Sequence, residues 1–195
     1  MNEAKWQTKI ITSINSPVGK VVRTLRLDNV DNPKYKYSEK LEFDGVSGNR
    51  SFAICIGLNP AAAEEEIDIT NKRLIKLLKD EYNGYHLFNI YPEITDNKKQ
   101  LNFDDEENRE FINKLKDILI RKEFDSLDII MFFGRTLVIP KPFIDLLEEW
   151  NGIRNIFITS HKDEFTHPGS NADIQKKPFE MDFLRRSTCI RVCEK

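Results

Sequence analysis

From Ser51 onward the chain alternates short, mainly apolar runs with longer segments of helical period, and no other feature limits its fold so tightly. The runs are Phe52 to Leu58, Tyr85 to Tyr91, Asp128 to Phe133 and Asn155 to Thr159. Such dense apolarity over so few residues marks strands buried on both faces. Between the runs, Asp68 can cap a helix reaching about Tyr82, with Leu74, Leu77 and Leu78 inward. Asp104 to Lys122 repeats Phe111, Leu115, Ile118 and Leu119 at helical spacing, and Phe143 to Trp150 is helical after Pro140 and Pro142. Strand–helix–strand order at this spacing predicts a parallel sheet with right-handed crossovers. In such sheets ligands bind beyond the C-terminal strand ends. That rule selects four loops, beginning at Asn59, Asn89, Gly134 and Ser160.

Residues 1–50 have another character. Val18 to Leu27 is rich in β-formers, Tyr35 to Phe43 roughly alternates, and turn residues gather at 31–33 and 45–49. The 195 residues fit one domain, a β-rich N-terminal extension (1–50) joined to a core (51–173). Hydrophobic residues at 39% and charged residues at 32% suit a globular chain. No run approaches the ~20 apolar residues of a membrane helix, and no signal-peptide pattern opens the chain, so a cytoplasmic protein without membrane contact is expected. Cys55 lies inside an apolar run and reads as a core thiol, while Cys189 and Cys193 lack partners at zinc spacing, so no metal or other cofactor is expected. The net charge of -2 argues against an overall electrostatic grip on nucleic acid. Both ends are mildly basic and the middle acidic, a pattern that either ordinary solvated charge or one basic face explains.

Polar residues of interest cluster in the strand-end loops. In Leu58-Asn59-Pro60-Ala61, Pro60 stops the strand and holds Asn59 at its edge, and the alanines allow a ligand near the backbone. Asn89 interrupts an apolar, aromatic strand; its amide either bonds neighbouring backbone or reads the donor–acceptor edge of a base. His167-Pro168-Gly169-Ser170 lies beyond the fourth run, and His167 is a candidate donor or proton shuttle. His86 reads as packed in a strand, and His161 is a weaker rival. Asp68, Thr70 and Arg73 open the first helix, either as a plain cap and surface arginine or as a phosphate site.

The ordered series Gly57-Leu58-Asn59-Pro60-Ala61, Asp68-x-Thr70 with Arg73, Asn89, Phe133-Gly134-Arg135 and Thr166-His167-Pro168 resembles domain-of-unknown-function family 1643 of bacteria and phages, from about Arg50 to Asp173. The same series resembles the uracil-DNA glycosylase superfamily. That resemblance implies a three-layer α/β/α sandwich around a central parallel four-stranded sheet. It implies that Asn59 positions water, Asn89 reads the base and His167 stabilises the departing base anion. Leu58, Pro60, Ala61, Asp68, Thr70, Arg73, Gly134, Arg135, Pro168 and Ser170 would complete the site. Three departures stand out. Asn59 replaces the carboxylate of the strongest catalysts. Gly169-Ser170 carries no apolar wedge. No aromatic follows Pro60, a role that Phe88 or Tyr91 would have to fill.

Three activities compete for this pocket. The first is N-glycosidic hydrolysis of a normal or modified base in DNA, without metal. The second is binding of a nucleotide or nucleotide-derived signal without cleavage, and the third is hydrolysis of free nucleosides or nucleotides. DNA or a free nucleotide is therefore the expected partner. Repair and phage defence would suit all three.

Overall fold

Two caps and two stripes of apolar residues set the long helices. The computed structural model describes residues 6–16, 19–44, 50–60, 66–95, 101–102, 105–121, 124, 127–133, 137–150, 153–161, 164–170, 173–179 and 190–193. Asp68 caps α1 (Ile69–Leu78) by accepting the Asn71 backbone N–H at 2.8 Å, and Asn71, Leu74, Ile75 and Leu78 form its buried stripe. Asp105 caps α2 (Glu106–Leu119) in the same way, with Phe111, Ile112, Leu115, Ile118 and Leu119 turned inward. Proline early in the first turn opens α3 (Lys141–Glu149), where a missing N–H costs nothing. None of these helices is long and apolar enough to cross a membrane.

The fold is mixed α/β, with one large sheet and three helices among the described residues. Its strands are β1 (Gln7–Ser16), β2 (Gly19–Leu27), β3 (Lys36–Phe43), β4 (Ala53–Gly57), β5 (Gly84–Asn89), β6 (Leu127–Met131), β8 (Ile153–His161), β9 (Glu164–Phe165) and β10 (Gln175–Pro178). They lie in the order β1-β2-β3-β5-β4-β6-β8-β10, with β9 beside β8. A separate pair joins β7 (Leu137–Pro140) to β11 (Ile190–Cys193) in parallel. The sheet is wider and more mixed than the sequence reading anticipates. β5, β4, β6 and β8 pair parallel. The three N-terminal strands form an antiparallel meander that continues the same sheet through β3 and β5. β10 extends the far edge antiparallel to β8.

Winding runs one way from β4 to β5 and the other way from β5 to β6 and β8, so right-handed crossovers send the helices to opposite faces. Ile54, Ile56, Phe88, Ile129 and Met131 pack with α2 and α3. Ala53, Cys55, Leu87, Ile130 and Phe132 pack with α1. Cys55 is fully buried, and burial pushes its thiol pKa far up, as suits a core thiol.

Candidate functional site at the strand ends

A cavity of about 170 Å³ opens at the C-terminal ends of β4 and β5. It is lined by Asn59 and Pro60 after β4, Leu87 and Asn89 of β5, and Phe132 just beyond β6. His167 from the loop after β9, Thr95, and Asp68, Thr70 and Asn71 at the start of α1 line it too, with Lys36 and Glu39 of β3. Asn59, Pro60, Asp68, Thr70, Asn89 and His167 thus come together from separate loops, as a ligand site at this edge requires.

Asn89 is the most telling member. Side chains alternate along a strand, so Asn89 shares the α1 side with Leu87 and not the α2 side with Phe88. It is 3% exposed, yet among the described residues nothing hydrogen-bonds its side-chain amide. Its amide atoms keep contact with solvent in the cavity, so a donor and an acceptor stand open there. A ligand in the cavity is the natural partner. Gly57 makes the close packing around this amide possible, because a Cβ there would fall 2.5 Å from Asn89 Oδ1 and 2.7 Å from the Phe132 ring.

The other polar groups are oriented by their second contacts. Asn59 Nδ2 donates to the carbonyls of Thr95 (2.7 Å) and Pro60 (3.3 Å), which leaves Oδ1 as its acceptor. His167 Nδ1 accepts the Gly169 backbone N–H at 3.0 Å. The neutral ring therefore carries its proton on Nε2, where it is a donor. The His167 ring lies 5.7 Å from that of Phe132, centroid to centroid.

A buried charge cluster forms the wall beside β3. β3 runs antiparallel to β5, with Glu39 opposite Leu87, so its first residues stand at the edge where β5 ends. The Lys36 N–H donates to the Pro92 carbonyl at 2.8 Å and fixes it there. Glu39 accepts Arg23 Nε at 2.6 Å, Lys36 Nζ at 3.1 Å and Asn71 Nδ2 at 3.1 Å. Burial alone would raise the Glu39 pKa, but the Lys36 and Arg23 cations outweigh it and hold the carboxyl down to about 2. Asn71 Nδ2 also reaches Asp68 Oδ2 at 3.1 Å, and its Oδ1 accepts the Tyr85 hydroxyl at 2.7 Å.

Several residues expected at the site stand elsewhere. Leu58 and Phe88 are buried in the core facing α2 and α3, and Tyr91 joins them, so none offers a stacking face to the cavity. Phe132 is the aromatic ring that lines it instead. Arg73 is not part of the lining; its guanidinium donates to the Pro168 carbonyl and braces the His167 loop against α1. Pro168 is buried as part of that brace, whereas Ser170 is exposed and its N–H closes the turn onto the His167 carbonyl at 2.9 Å. Ala61, Gly134 and Arg135 lie outside the described residues. Lys36, Glu39, Asn71, Thr95 and Phe132 went unnoticed in the sequence. Only the adjacency of Phe132 to the Phe133-Gly134 strand end hinted at one of them. Among the described residues no group of three His, Cys, Asp or Glu side chains gathers as metal ligands do.

A family model described as "Protein of unknown function (DUF1643)" matches residues 43–168. No curated protein and no solved structure matches the chain significantly.

Proposed function

The chain belongs to the DUF1643 family of proteins of unknown function, and from that premise we propose that the cavity holds a nucleobase and that the protein hydrolyses the base's N-glycosidic bond. The observation that carries this reading is the Asn89 amide, which no described residue hydrogen-bonds and which lines a cavity of about 170 Å³. A cavity of about 150 Å³ accepts a benzene-sized ring. The space therefore suits one planar heterocycle, with any sugar and phosphate outside. An amide presents a donor and an acceptor side by side, the pattern that pairs with a base edge. Phe132 and His167 supply ring surfaces beside it.

In this reading Asn89 selects the base, Asn59 Oδ1 holds the attacking water, and His167 Nε2–H meets the negative charge that gathers on the leaving base. The fold would then be a three-layer α/β/α sandwich like that of uracil-DNA glycosylases. The parallel run β5-β4-β6-β8 and the helices on both faces support it. DNA carrying an extruded or unpaired base is the proposed substrate. One observation favours a second reading, capture of a free base or nucleotide without cleavage. Glu39 and Asp68, the carboxylates at the cavity among the described residues, already accept hydrogen bonds from the protein's own donors, which leaves no evident general base among those residues.

Single- and double-stranded oligonucleotides carrying uracil and several modified bases, treated with the protein and then with alkali, separate the two. Strand scission is expected, with His167→Ala slowing the chemical step by about 100- to 1000-fold while binding stays near wild type. Asn89→Ala should weaken binding roughly tenfold or more. No scission on any substrate, together with calorimetric binding of a free base or nucleotide that Asn89→Ala abolishes, would replace hydrolysis by capture.

A further inference from the structure

We propose that Lys36, from the N-terminal meander, is a ligand-contacting residue that selects a base carrying an anionic exocyclic oxygen. The proposal rests on the base-pocket reading above and adds to it a cation from a strand outside the parallel run. Lys36 is 3% exposed and lines the cavity. Arg23 and Glu39 form an ion pair at 2.6 Å that is already neutral as a unit. Asp68 is committed to the cap of α1 and to the Asn71 side chain. Arg23 and Lys36 together balance Glu39 and Asp68 in charge, so what Lys36 has to spare is hydrogen-bond donors. An ammonium has three donors, and among the described residues Glu39 Oε2 at 3.1 Å is the one acceptor its side chain meets. Burying a charge with most of its donors idle is costly unless something else occupies them. The cavity is where that something can sit. Asn89, equally short of partners, lines the same space.

The chemistry of such a pair of groups is specific. Asn89 reads a ring N–H or nitrogen with its neighbouring carbonyl, and Lys36 holds an oxygen that bears negative charge. In glycosidic hydrolysis the C1′–N bond breaks and its electron pair leaves with the base, spreading onto the exocyclic oxygen. The attacking water gives its oxygen to C1′, and its proton ends on the base. Lys36 acts as a hydrogen-bond donor to that exocyclic oxygen, with Glu39 Oε2 behind it at 3.1 Å. It lowers the energy of the anion without transferring a proton. Glu39 acts as a positioning residue behind it.

Paired free bases test the idea by calorimetry at neutral pH. Uracil is compared with 5-nitrouracil, and xanthine with 8-azaxanthine, the second of each pair being ionised. Wild type should favour the ionised member of at least one pair by roughly tenfold or more, the equilibrium effect of one charge-assisted hydrogen bond. Lys36→Met should erase that preference, Lys36→Arg should keep most of it, and melting curves of both variants report whether they fold. If Lys36→Met is folded and keeps the preference, or wild type shows none while binding the neutral bases, the Lys36 role is overturned and the base pocket stands. If Lys36→Met fails to fold, Lys36→Gln, which keeps a neutral donor, is read by the same criterion. If wild type binds neither member of either pair, the base-pocket reading fails and takes this proposal with it.

Discussion

Glu39 and Asp128 are both buried carboxylates of the same sheet, and each gathers several donors, yet they stand on different strands and in different surroundings. Asp128, at the start of β6, accepts Arg154 through two nitrogens, Asn155 Nδ2 at 2.8 Å and the Tyr82 hydroxyl at 2.8 Å. Burial alone would raise its pKa, and the hydrogen bonds from Arg154, Asn155 and Tyr82 lower it on balance. Its cation, Arg154, is 48% exposed and half in water. The cluster is closed, and each group in it has a partner. Around Glu39 both cations, Arg23 and Lys36, are buried, and one of them faces a cavity with donors to spare. A satisfied network at a strand start locks chain ends together. The Glu39 network borders a cavity instead.

The largest effect should come from deleting each carboxylate. Glu39→Ala strands two buried cations, and breaking a buried pair costs about 3–5 kcal/mol. Asp128→Ala leaves an arginine that can turn to water and should cost about 1–2 kcal/mol. Urea unfolding of the two variants measures both. Equal losses would erase the distinction drawn here.

Acid titration sharpens the same contrast. The Glu39 carboxyl is held at about 2, against 4.5 without the cluster. A depressed carboxylate stabilises the fold above its unfolded value. That contribution should shrink below about pH 4.5 and vanish as pH falls through about 2, a loss on the order of 3 kcal/mol. His86 acts in a higher window. Burial, with Lys40 adding to it, lowers its pKa from 6.5 to about 4, so its loss begins below 6.5 as the unfolded chain takes up the proton first. Urea midpoints followed from pH 7 to pH 2 should therefore fall in two stages. Glu39→Gln should flatten the lower stage and leave the upper one intact. A lower stage unchanged in Glu39→Gln would show that the cluster is not what acid breaks.

The most local expected effect falls at the cavity. In Gly57→Ala the added methyl meets Asn89 Oδ1 and the Phe132 ring, and such overpacking costs about 1–3 kcal/mol. The variant should weaken binding of the free-base probes while the Asp128 network, at the start of β6, keeps its behaviour. Unchanged binding would mean that the Asn89 amide moves aside freely and is not held in place for a ligand.

What the sequence determined by itself was local or periodic. The apolar runs became β4, β5, β6 and β8, and the stripe spacings with the Asp68 cap became α1 and its neighbours, because burial patterns and capping bonds act within a few residues. The same logic put Asn59, Asn89 and His167 in loops or strand ends at one edge, since parallel crossovers leave no other place for them. Which way each side chain faces, and what long-range pairing brings beside it, only the tertiary structure decided. Phe88 and Asn89 are adjacent in sequence, but the pleat sends one to the α2 side and the other to the cavity. Arg73 reads either as a surface arginine or as a phosphate ligand until the His167 loop is seen to accept its hydrogen bond. Nothing local in the sequence singles out Lys36, Glu39 and Arg23. They are buried because β3 pairs antiparallel with β5, a register set between residues far apart in the chain. Periodicity records how often a side chain returns to one face; what covers that face is settled only when another strand or helix arrives.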